Sequence, residues 1–375
     1  MLRCDHCGGV EAASKDVWRC PRCDGPWLWD GERALNRGDV RAELHGLWRY
    51  QAALPLGFGD AVSLGETMTP LLPITSGGSP AWAKLDYLLP SGSYKDRGAA
   101  VMISALRMLG TSHLIEDSSG NAGAAVAAYA ARGGLGCTVF APAAASAGKL
   151  VQAAAFGADV RRVAGSRDDV ADAAVAAAAT MDGASYASHN WHPLFIEGVK
   201  TWAFEVWEQL GFRAPDAIVA PVGSGSMILG AHLAFGELRR GGAIDRLPRL
   251  YAAQPAACAP LVHAFAAGGD EVARVERGPT LAEGASIARP VRGRHLLRAL
   301  RESSGGAVAI SEAAIVEARL ASVQQELYIE PTSAVAVAGA AALRASGDLG
   351  PDDECVVMMS GSGLKATEAI QSLLR

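Results

Sequence analysis

The sequence predicts an α/β protein with two doubly wound parallel sheets and a small metal-binding ribbon at its N-terminal end. Three observations predict this fold. Apolar strand-like runs alternate with helix-like runs of about 10–15 residues through much of the 375-residue chain, as in consecutive βαβ units. Clusters of glycine and serine follow several of those strands. Four cysteines form two C-x2-C motifs near the start of the chain.

The composition limits the classes of function. Half of the residues are hydrophobic and the formal net charge is -5, so we expect two sizeable cores and no nucleic-acid surface. No secretory signal pattern opens the chain, and its apolar runs are shorter than the roughly 20 residues that a membrane-spanning helix needs. We therefore expect a cytoplasmic protein with no membrane partner.

The ribbon is predicted by the spacing of Cys4, Cys7, Cys20 and Cys23, which is C-x2-C-x12-C-x2-C. Two such pairs can enclose one tetrahedral ion, and thiolates are typical ligands of zinc. Disulfides or a chance spacing are the alternatives. A site with four protein ligands has no open coordination position, so we expect a structural zinc. Cys137, Cys258 and Cys355 stand alone in apolar surroundings and are expected in the core.

The remaining elements follow in chain order. Residues 24–50 are expected to form a linker and a short helix. The predicted strands lie around 81–88, 113–116, 137–143, 159–165, 216–221, 247–256 and 354–359, and 184–189 is predicted as a strand or a loop. The predicted helices cover 98–110, 121–134, 147–158, 167–181, 197–211 and 226–242. The stretch 255–305 has an irregular pattern. No low-complexity linker separates the halves, so we expect interleaved domains.

Four glycine-serine segments are expected at the carboxyl ends of strands, where open α/β sheets bind ligands: SGSYKDRG, SSGNAG, VGSGSM and SGSG. In the third, Gly223, Ser224, Gly225, Ser226 and Met227 can form an anion nest before a helix, which suits a phosphate monoester. Alone, this segment could equally be a tight turn without a ligand. In the second, Ser118, Ser119, Gly120, Asn121 and Ala122 could hold a substrate carboxylate or simply cap the helix.

Lys95 lies in the first segment, among small residues. A lysine on a close-packed turn, together with a phosphate nest, is typical of a Schiff base with pyridoxal 5'-phosphate. The alternative is a surface lysine paired with Asp96. The combination with the other three loops favours the cofactor.

The chain resembles the threonine synthases, in the β-family (fold type II) of pyridoxal phosphate enzymes. PSGSYKDRG is similar to their PTGSFKDRG, IEGVKT to IEGQKT, EPTSAVAVAGA to their EP-x-x-A helix, and MSGSGLK to TGHGLK. SSGNAGAAVAAYAARGG resembles their asparagine loop, and many members have an N-terminal zinc ribbon. The expected domains are the ribbon over 1–30, a large cofactor-binding domain over 31–97 and 190–375, and a small substrate domain over 98–189.

The resemblance implies a role for each matching residue. Lys95 would carry the cofactor and move protons, Asn121 would bond its phenolic oxygen, and residues 223–227 would bind its phosphate. Ser360 would face the pyridine nitrogen. A hydroxyl there leaves that nitrogen largely unprotonated, which favours elimination or replacement over transamination. The resemblance also implies a homodimer.

Two departures from the family bear on the substrate. Phe195 stands where the family has an arginine that helps to bind the substrate phosphate, and Ser362 stands where it has a histidine. His189 and Asn190 could hold another polar group of the substrate, or only pack the loop.

Three functions therefore stay open. The first is γ-elimination and β-replacement on O-phosphohomoserine, giving threonine and phosphate. The second is β-elimination of ammonia from serine or threonine, or β-replacement on an O-activated serine. The third is a non-enzymatic zinc-ribbon binding protein.

Overall fold

The structure, a computed structural model, describes residues 1–31, 33–55, 57, 59–145 and 147–373. Over these residues the strands are β1 (Leu2–Cys4), β2 (Val10–Glu11), β3 (Trp27–Trp29), β4 (Leu71–Ser76), β5 (Ser79–Lys84), β6 (His113–Glu116), β7 (Gly136–Pro142), β8 (Asp159–Val163), β9 (Ala184–Tyr186), β10 (Ala217–Pro221), β11 (Arg249–Pro255), β12 (Gly306–Ile310) and β13 (Cys355–Met358).

The α-helices follow the same chain order. They are α1 (Lys95–Met108), α2 (Asn121–Gly133), α3 (Ala147–Ala155), α4 (Arg167–Thr180), α5 (Pro193–Val199), α6 (Thr201–Gln209), α7 (Ser226–Arg240), α8 (Pro260–Ala266), α9 (Gly293–Glu302), α10 (Glu312–Gln324), α11 (Pro331–Ser346) and α12 (Thr367–Ser372). Among the described residues, no helix combines the length and the apolar character needed to cross a membrane.

The chain forms two compact units, each made of several segments. Unit 1 contains Met1–Glu32, Leu54–Glu66 and Leu89–Val199, and unit 2 contains Arg33–Ala53, Thr67–Leu88 and Lys200–Arg375. The interleaved order agrees with the alternation of segments expected from the sequence.

The described residues of unit 1 form two sheets. A small antiparallel sheet, in the order β2-β1-β3, belongs to the ribbon. The second sheet is parallel throughout, in the order β8-β7-β6-β9. Its β6 ends at Glu116 and leads through 117–120 into α2, so the serine-glycine loop lies at the carboxyl end of a strand, as predicted.

Unit 2 has one six-stranded sheet over the described residues, in the order β12-β11-β10-β13-β5-β4. Its strands are parallel except for the edge strand β4, which pairs antiparallel with β5. Helix α11 is rich in alanine and packs on the centre of this sheet. A β-carbon at Gly339 would lie 2.8 Å from the side chain of Ala253, so small residues allow this close approach.

Several predicted elements needed correction. Trp27–Trp29, expected in a linker, is strand β3, because it pairs with β1 and closes the ribbon sheet. The predicted helix over 197–211 is two helices, which meet at Lys200. The Lys200 Nζ donates to the carbonyl of Ala53 at 2.8 Å and to Glu237 at 2.7 Å, both within unit 2. The irregular stretch 255–305 contains α8 and α9.

The compact units divide the chain differently from the expected domains. Three stretches expected in the large domain group with unit 1, namely Leu54–Glu66, 89–97 and 190–199. The physical reason is the packing of α1 against α5, where a β-carbon at Gly98 would lie 2.6 Å from the ring of Phe195. The ranges 31–97 and 190–375 for the cofactor domain, and 98–189 for the substrate domain, stay predictions.

Candidate active site

Lys95 is the first residue of α1 and follows a tight turn in unit 1. Gly92 in this turn has a φ of +85°, in the left-handed region that glycine tolerates best. The carboxylate of Asp96 accepts a hydrogen bond from Ser91 N at 2.6 Å and another from the Ser91 hydroxyl. The Lys95 side chain is only 9% exposed. The surface-lysine alternative therefore does not hold, since Lys95 is buried and Asp96 is engaged by Ser91.

Two aromatic side chains flank the amine of Lys95. The Nζ atom donates a hydrogen bond to the Tyr94 hydroxyl oxygen at 2.7 Å. On another side, it lies 5.7 Å from the ring centre of Phe195, which is fully buried. Phe195, the residue in the place of the family's arginine, thus presents a phenyl ring to the vicinity of Lys95.

The predicted substrate loop lies at the N-terminus of α2, also in unit 1. Ser118, Ser119, Gly120 and Asn121 are half-buried, while Ala122 is buried. The Ser118 hydroxyl accepts a hydrogen bond from Gly120 N at 3.3 Å. A β-carbon at Gly123 would collide with the carbonyl oxygen of Ser118, so glycine is required for this turn. The first N–H groups of a helix have no helical partner and suit an anion such as a carboxylate.

His189 and Asn190 follow β9 in unit 1. His189 is 8% exposed, and its Nδ1 lies 2.9 Å from Glu116 Oε1. Glu116 also accepts from His189 N at 3.2 Å. The imidazole packs edge-on against Phe195, with 5.9 Å between the ring centres. The side-chain oxygen of Asn190 is buried and has no hydrogen-bond partner among the described residues, which is typical of a ligand-binding group.

Burial shifts the pKa values of this pair in opposite directions. Desolvation raises the pKa of Glu116 well above its ordinary value, and the nearby charge of Asp117 adds to the rise. Desolvation lowers the pKa of His189 well below its ordinary value, and the positive charge of Lys95 contributes. Both shifts favour the uncharged form. The neighbouring Asp117 is compensated separately, since it accepts from Arg167 at 2.6 Å.

The predicted phosphate loop connects β10 to α7 in unit 2. Gly225 has a φ of +82° and immediately precedes the helix, whose first residues are Ser226 and Met227. A β-carbon at Gly223 would lie 2.6 Å from the carbonyl oxygen of Gly284, so no other residue fits there. A glycine-dependent turn at the positive end of α7 is a suitable setting for an anion, such as the phosphate group predicted for this loop.

Ser360 lies just after β13 in unit 2 and is 2% exposed. Its hydroxyl lies 3.0 Å from that of Ser333 and donates to Glu330 Oε1 at 3.2 Å. Backbone N–H of Gly361 in turn donates to Ser333 at 3.0 Å. The network gives the Ser360 hydroxyl a defined orientation, with the Glu330 side chain as its acceptor.

The four ribbon cysteines converge on one point. Their sulfur atoms all lie within 4.8 Å of one another, with 3.5 Å between Cys4 and Cys23 and 3.7 Å between Cys7 and Cys20. Tetrahedral coordination with zinc–sulfur distances of about 2.3 Å requires sulfur atoms about 3.8 Å apart. The cluster therefore fits a structural metal site, and none of its cysteines forms a disulfide.

The parallel sheets, the buried lysine and the glycine cradle together define a class of enzyme. Residues 62–361 match the family model described as pyridoxal-phosphate dependent enzyme, and the chain belongs to this family. It is a fold type II, pyridoxal-phosphate dependent enzyme.

The relatives narrow the class further. The chain is 32% identical to the threonine synthase of Methanocaldococcus jannaschii, over 98% of this chain and 94% of that protein. It is 31% identical to the threonine synthase of Methanosarcina acetivorans, over 98% of this chain and 93% of that protein. Among solved structures, maize serine racemase has a similar fold, with a TM-score of 0.70, 22% identity, and coverage of 82% of this chain and 92% of that one.

Sequence reasoning missed two groups near the predicted site. One is the Tyr94 hydroxyl, although the difference between SYKDRG here and SFKDRG in the family was a signal for it. The other is Glu116, whose position at the end of an apolar strand gave no sign of its bond to His189, 73 residues later.

Proposed function

We propose that the chain is a lyase of the threonine synthase type, which converts O-phosphohomoserine and water into threonine and phosphate. The observation that carries the proposal is the identity of 32% to a threonine synthase over 98% of this chain and 94% of that protein. The reaction is a γ-elimination of phosphate followed by addition of water at the β-carbon.

Pyridoxal phosphate, when bound, supplies an electron sink that weakens the bonds to the α-carbon of an amino acid. The residues of unit 1 would handle the protons and the substrate. Lys95 would bind the aldehyde carbon and carry protons to and from the substrate carbons. Asn121 would bond the phenolic oxygen of the cofactor, and the half-buried loop 118–122 would hold the substrate carboxylate. The burial of Lys95 on a rigid turn supports its assignment.

The residues of unit 2 would hold the cofactor without titrating. Loop 223–227 would bind the phosphate through backbone N–H groups, and the requirement for glycine at Gly223 supports this role. Ser360 would contact the pyridine nitrogen with a hydroxyl. A contact of this kind favours elimination and replacement over transamination, because the ring is a weaker electron sink than a pyridinium.

A second candidate function has one observation in its favour. Phe195 is buried beside Lys95, where the family's substrate-binding arginine would stand, and a phenyl ring cannot make the bidentate bonds of a guanidinium to phosphate. This favours a β-eliminating ammonia-lyase on serine or threonine, or a β-replacing synthase on an O-activated serine. His189 and Asn190 would then contact the substrate side chain.

One panel of substrates separates the two functions. The purified holoenzyme is given O-phosphohomoserine, O-phosphoserine, O-acetylserine, serine and threonine in turn, with the Lys95→Ala variant as the control. We expect threonine and phosphate in equal amounts from O-phosphohomoserine. A 2-oxo acid and ammonia from serine or threonine, with no threonine from O-phosphohomoserine, would replace the first function by the second.

We also propose zinc as the metal of the cysteine cluster, the cytoplasm as the location, and a homodimer as the assembly. Four free thiols arranged around one point suit a reducing compartment. Leu320 and Val323, spaced three residues apart on α10, are 46% and 45% exposed and could form part of a dimer contact. Metal analysis of the purified protein and light scattering after gel filtration test the first and last proposals.

A further inference from the structure

The amine of Lys95 has one hydrogen-bond acceptor within reach among the residues that the structure describes. This acceptor is the Tyr94 hydroxyl oxygen, 2.7 Å from Nζ. Nζ lies 4.5 Å from the centre of the Tyr94 ring, so the oxygen rather than the ring face is the nearer contact. Both side chains are 9% exposed, so water can do little to replace this bond.

The hydrogen bond between Lys95 and Tyr94 does not follow simply from their being adjacent in the sequence. Tyr94 has helical backbone angles, with φ of -56° and ψ of -15°, and Lys95 begins α1. Side chains of consecutive helical residues project in different directions and do not face each other. The long lysine side chain must bend towards the phenol to make the contact, which selects one group of rotamers among many.

The Tyr94 hydroxyl is present in this chain but absent from the family segment that this part of the chain resembles. The corresponding family segment, PTGSFKDRG, has phenylalanine before the lysine, and here the segment reads PSGSYKDRG. The other aromatic neighbour, Phe195, offers no acceptor. Replacing Tyr94 by phenylalanine would therefore leave Nζ between two apolar rings.

We propose that Tyr94 is a positioning residue for Lys95 and that its hydroxyl holds the amine in the orientation needed for proton transfer. The proposal rests on the assignment of Lys95 as the cofactor lysine. When Lys95 carries a proton taken from a substrate carbon, one N–H of the ammonium donates to the Tyr94 hydroxyl oxygen. The other two N–H groups then stay available for the substrate. The transferred proton stays on Nζ until it is returned to a carbon or to water.

The test compares Tyr94→Phe with the wild type by two rates. The first is the rate at which apoenzyme gains the cofactor absorbance band after mixing with pyridoxal phosphate, which depends on the Lys95 amine and not on turnover. The second is the rate at which the α-hydrogen of L-serine or L-threonine exchanges in D2O, followed by NMR. Tyr251→Phe is the matched control, because it removes a hydroxyl that donates to the Asp348 carbonyl at 3.1 Å in unit 2.

We expect both rates to fall by about 10–100-fold in Tyr94→Phe, because a misplaced amine loses its alignment for attack and for proton transfer. Tyr251→Phe should keep both rates within about twofold of the wild type, by the same argument. The melting temperature of Tyr94→Phe checks that the protein is folded. If either rate in Tyr94→Phe stays at the wild-type value, the proposal is overturned.

This outcome is independent of the substrate assignment. Exchange with L-serine or L-threonine requires that the amino acid binds and that the cofactor lysine works, and it does not require that O-phosphohomoserine is the substrate. The Lys95→Ala variant tests the assignment of the cofactor lysine, which is wrong if the absorbance band persists. The Tyr94→Phe variant tests the positioning role, which is wrong if either rate stays at the wild-type value.

Discussion

The two units differ in the kind of candidate functional group that each contains. Unit 1 carries a buried amine, an imidazole and a carboxyl group, in Lys95, His189 and Glu116. Unit 2 carries glycine-dependent backbone geometry in 223–227 and the hydroxyl of Ser360. The buried amine and imidazole, which can gain and lose protons, thus belong to unit 1, whereas the predicted cofactor contacts of unit 2 are backbone N–H groups and a hydroxyl.

This difference has a physical basis. A phosphate that stays bound through the whole cycle is best held by backbone N–H groups, which cannot titrate and need no reorganisation. Proton transfer needs groups that change charge, and a buried setting can tune their pKa values. Substitutions in unit 1 should therefore alter proton transfer and pH dependence, whereas substitutions in unit 2 should alter cofactor affinity.

The largest expected effect is that of Lys95→Ala. Without the amine, the protein should lose the cofactor absorbance band at about 410–420 nm and all turnover, since both need this nitrogen. Absorbance spectroscopy and the substrate panel measure the two losses. Lys15→Ala, which removes a lysine of the ribbon, should behave as the wild type. If the absorbance band persists in Lys95→Ala, another lysine binds the cofactor.

Cys4→Ser should have the next largest effect, and only on unit 1. Metal binding contributes on the order of 10 kcal/mol to the folding of small zinc domains, so loss of one thiolate should remove the metal and unfold the ribbon. Metal analysis and calorimetry check this. Cys137→Ser, at a buried cysteine outside the cluster, should retain the metal. Equal metal content in Cys4→Ser and the wild type would show that the thiolates hold no ion.

Gly225→Ala tests the contribution of unit 2. A β-carbon at this position would collide with the side chain of Leu296, which is itself fully buried, and the φ of +82° is unfavourable for alanine. We expect the dissociation constant of pyridoxal phosphate to rise by about 10–100-fold, which corresponds to a loss of about 1.4–3 kcal/mol of binding free energy. Titration of apoenzyme by absorbance measures it.

Gly347→Ala separates the clash from the backbone strain. Gly347 has nearly the same φ, +84°, with open space around its α-carbon. This variant should lose about 1 kcal/mol of unfolding free energy but keep the cofactor affinity. Equal weakening of cofactor binding in both variants would mean that the 223–227 loop has no special part in binding.

Glu116→Gln should give the smallest effect, which depends on pH. The raised pKa of Glu116 means that the folded state keeps a proton that the unfolded chain releases above about pH 4.5, so this group's stabilisation is lost as pH rises. The lowered pKa of His189 means that the unfolded chain gains a proton below about pH 6.5 that the folded state refuses, so stability is lost as pH falls.

Together these shifts give Glu116 and His189 their largest contribution to folding stability between about pH 4.5 and 6.5. In this range the pair binds one proton in the folded state and one in the unfolded state. Glu116→Gln should remove the loss of unfolding free energy at alkaline pH. The unfolding free energy of this variant should instead fall below about pH 6.5, by up to about 1.4 kcal/mol per pH unit. Urea unfolding at several pH values measures this. Glu317→Gln, at an exposed site on α10, should follow the wild-type curve, and an identical curve for Glu116→Gln would contradict the shifts.

The sequence predicted most of the fold because its periodicity is strong. The alternation from β6 to β9 and the strand-turn-helix from β10 to α7 have clear apolar runs bounded by glycines. The edge strand β4 was missed, since its burial pattern has no regular alternation. The break between α5 and α6 was also missed, because it accompanies long-range bonds from Lys200 that leave no periodic signal.

The candidate site was predictable in its main-chain parts and less so in its side-chain pairs. Glycine clusters reveal where a backbone must turn or approach a ligand, so loops 118–122 and 223–227 could be located. Contacts such as that of His189 with Glu116 depend on two strands meeting in the sheet, β6 with β9, and no local pattern encodes that pairing.

The ribbon has a structural consequence for the rest of unit 1. Its Trp18 packs edge-on against Tyr186, with ring centres 4.7 Å apart, and against Trp191 at 5.4 Å. These two aromatic residues bracket the segment that carries His189 and Asn190. Loss of an ion held by the four cysteines would thereby also remove the packing against this segment, so metal supply and redox conditions would affect the order of the predicted substrate contacts as well as the ribbon.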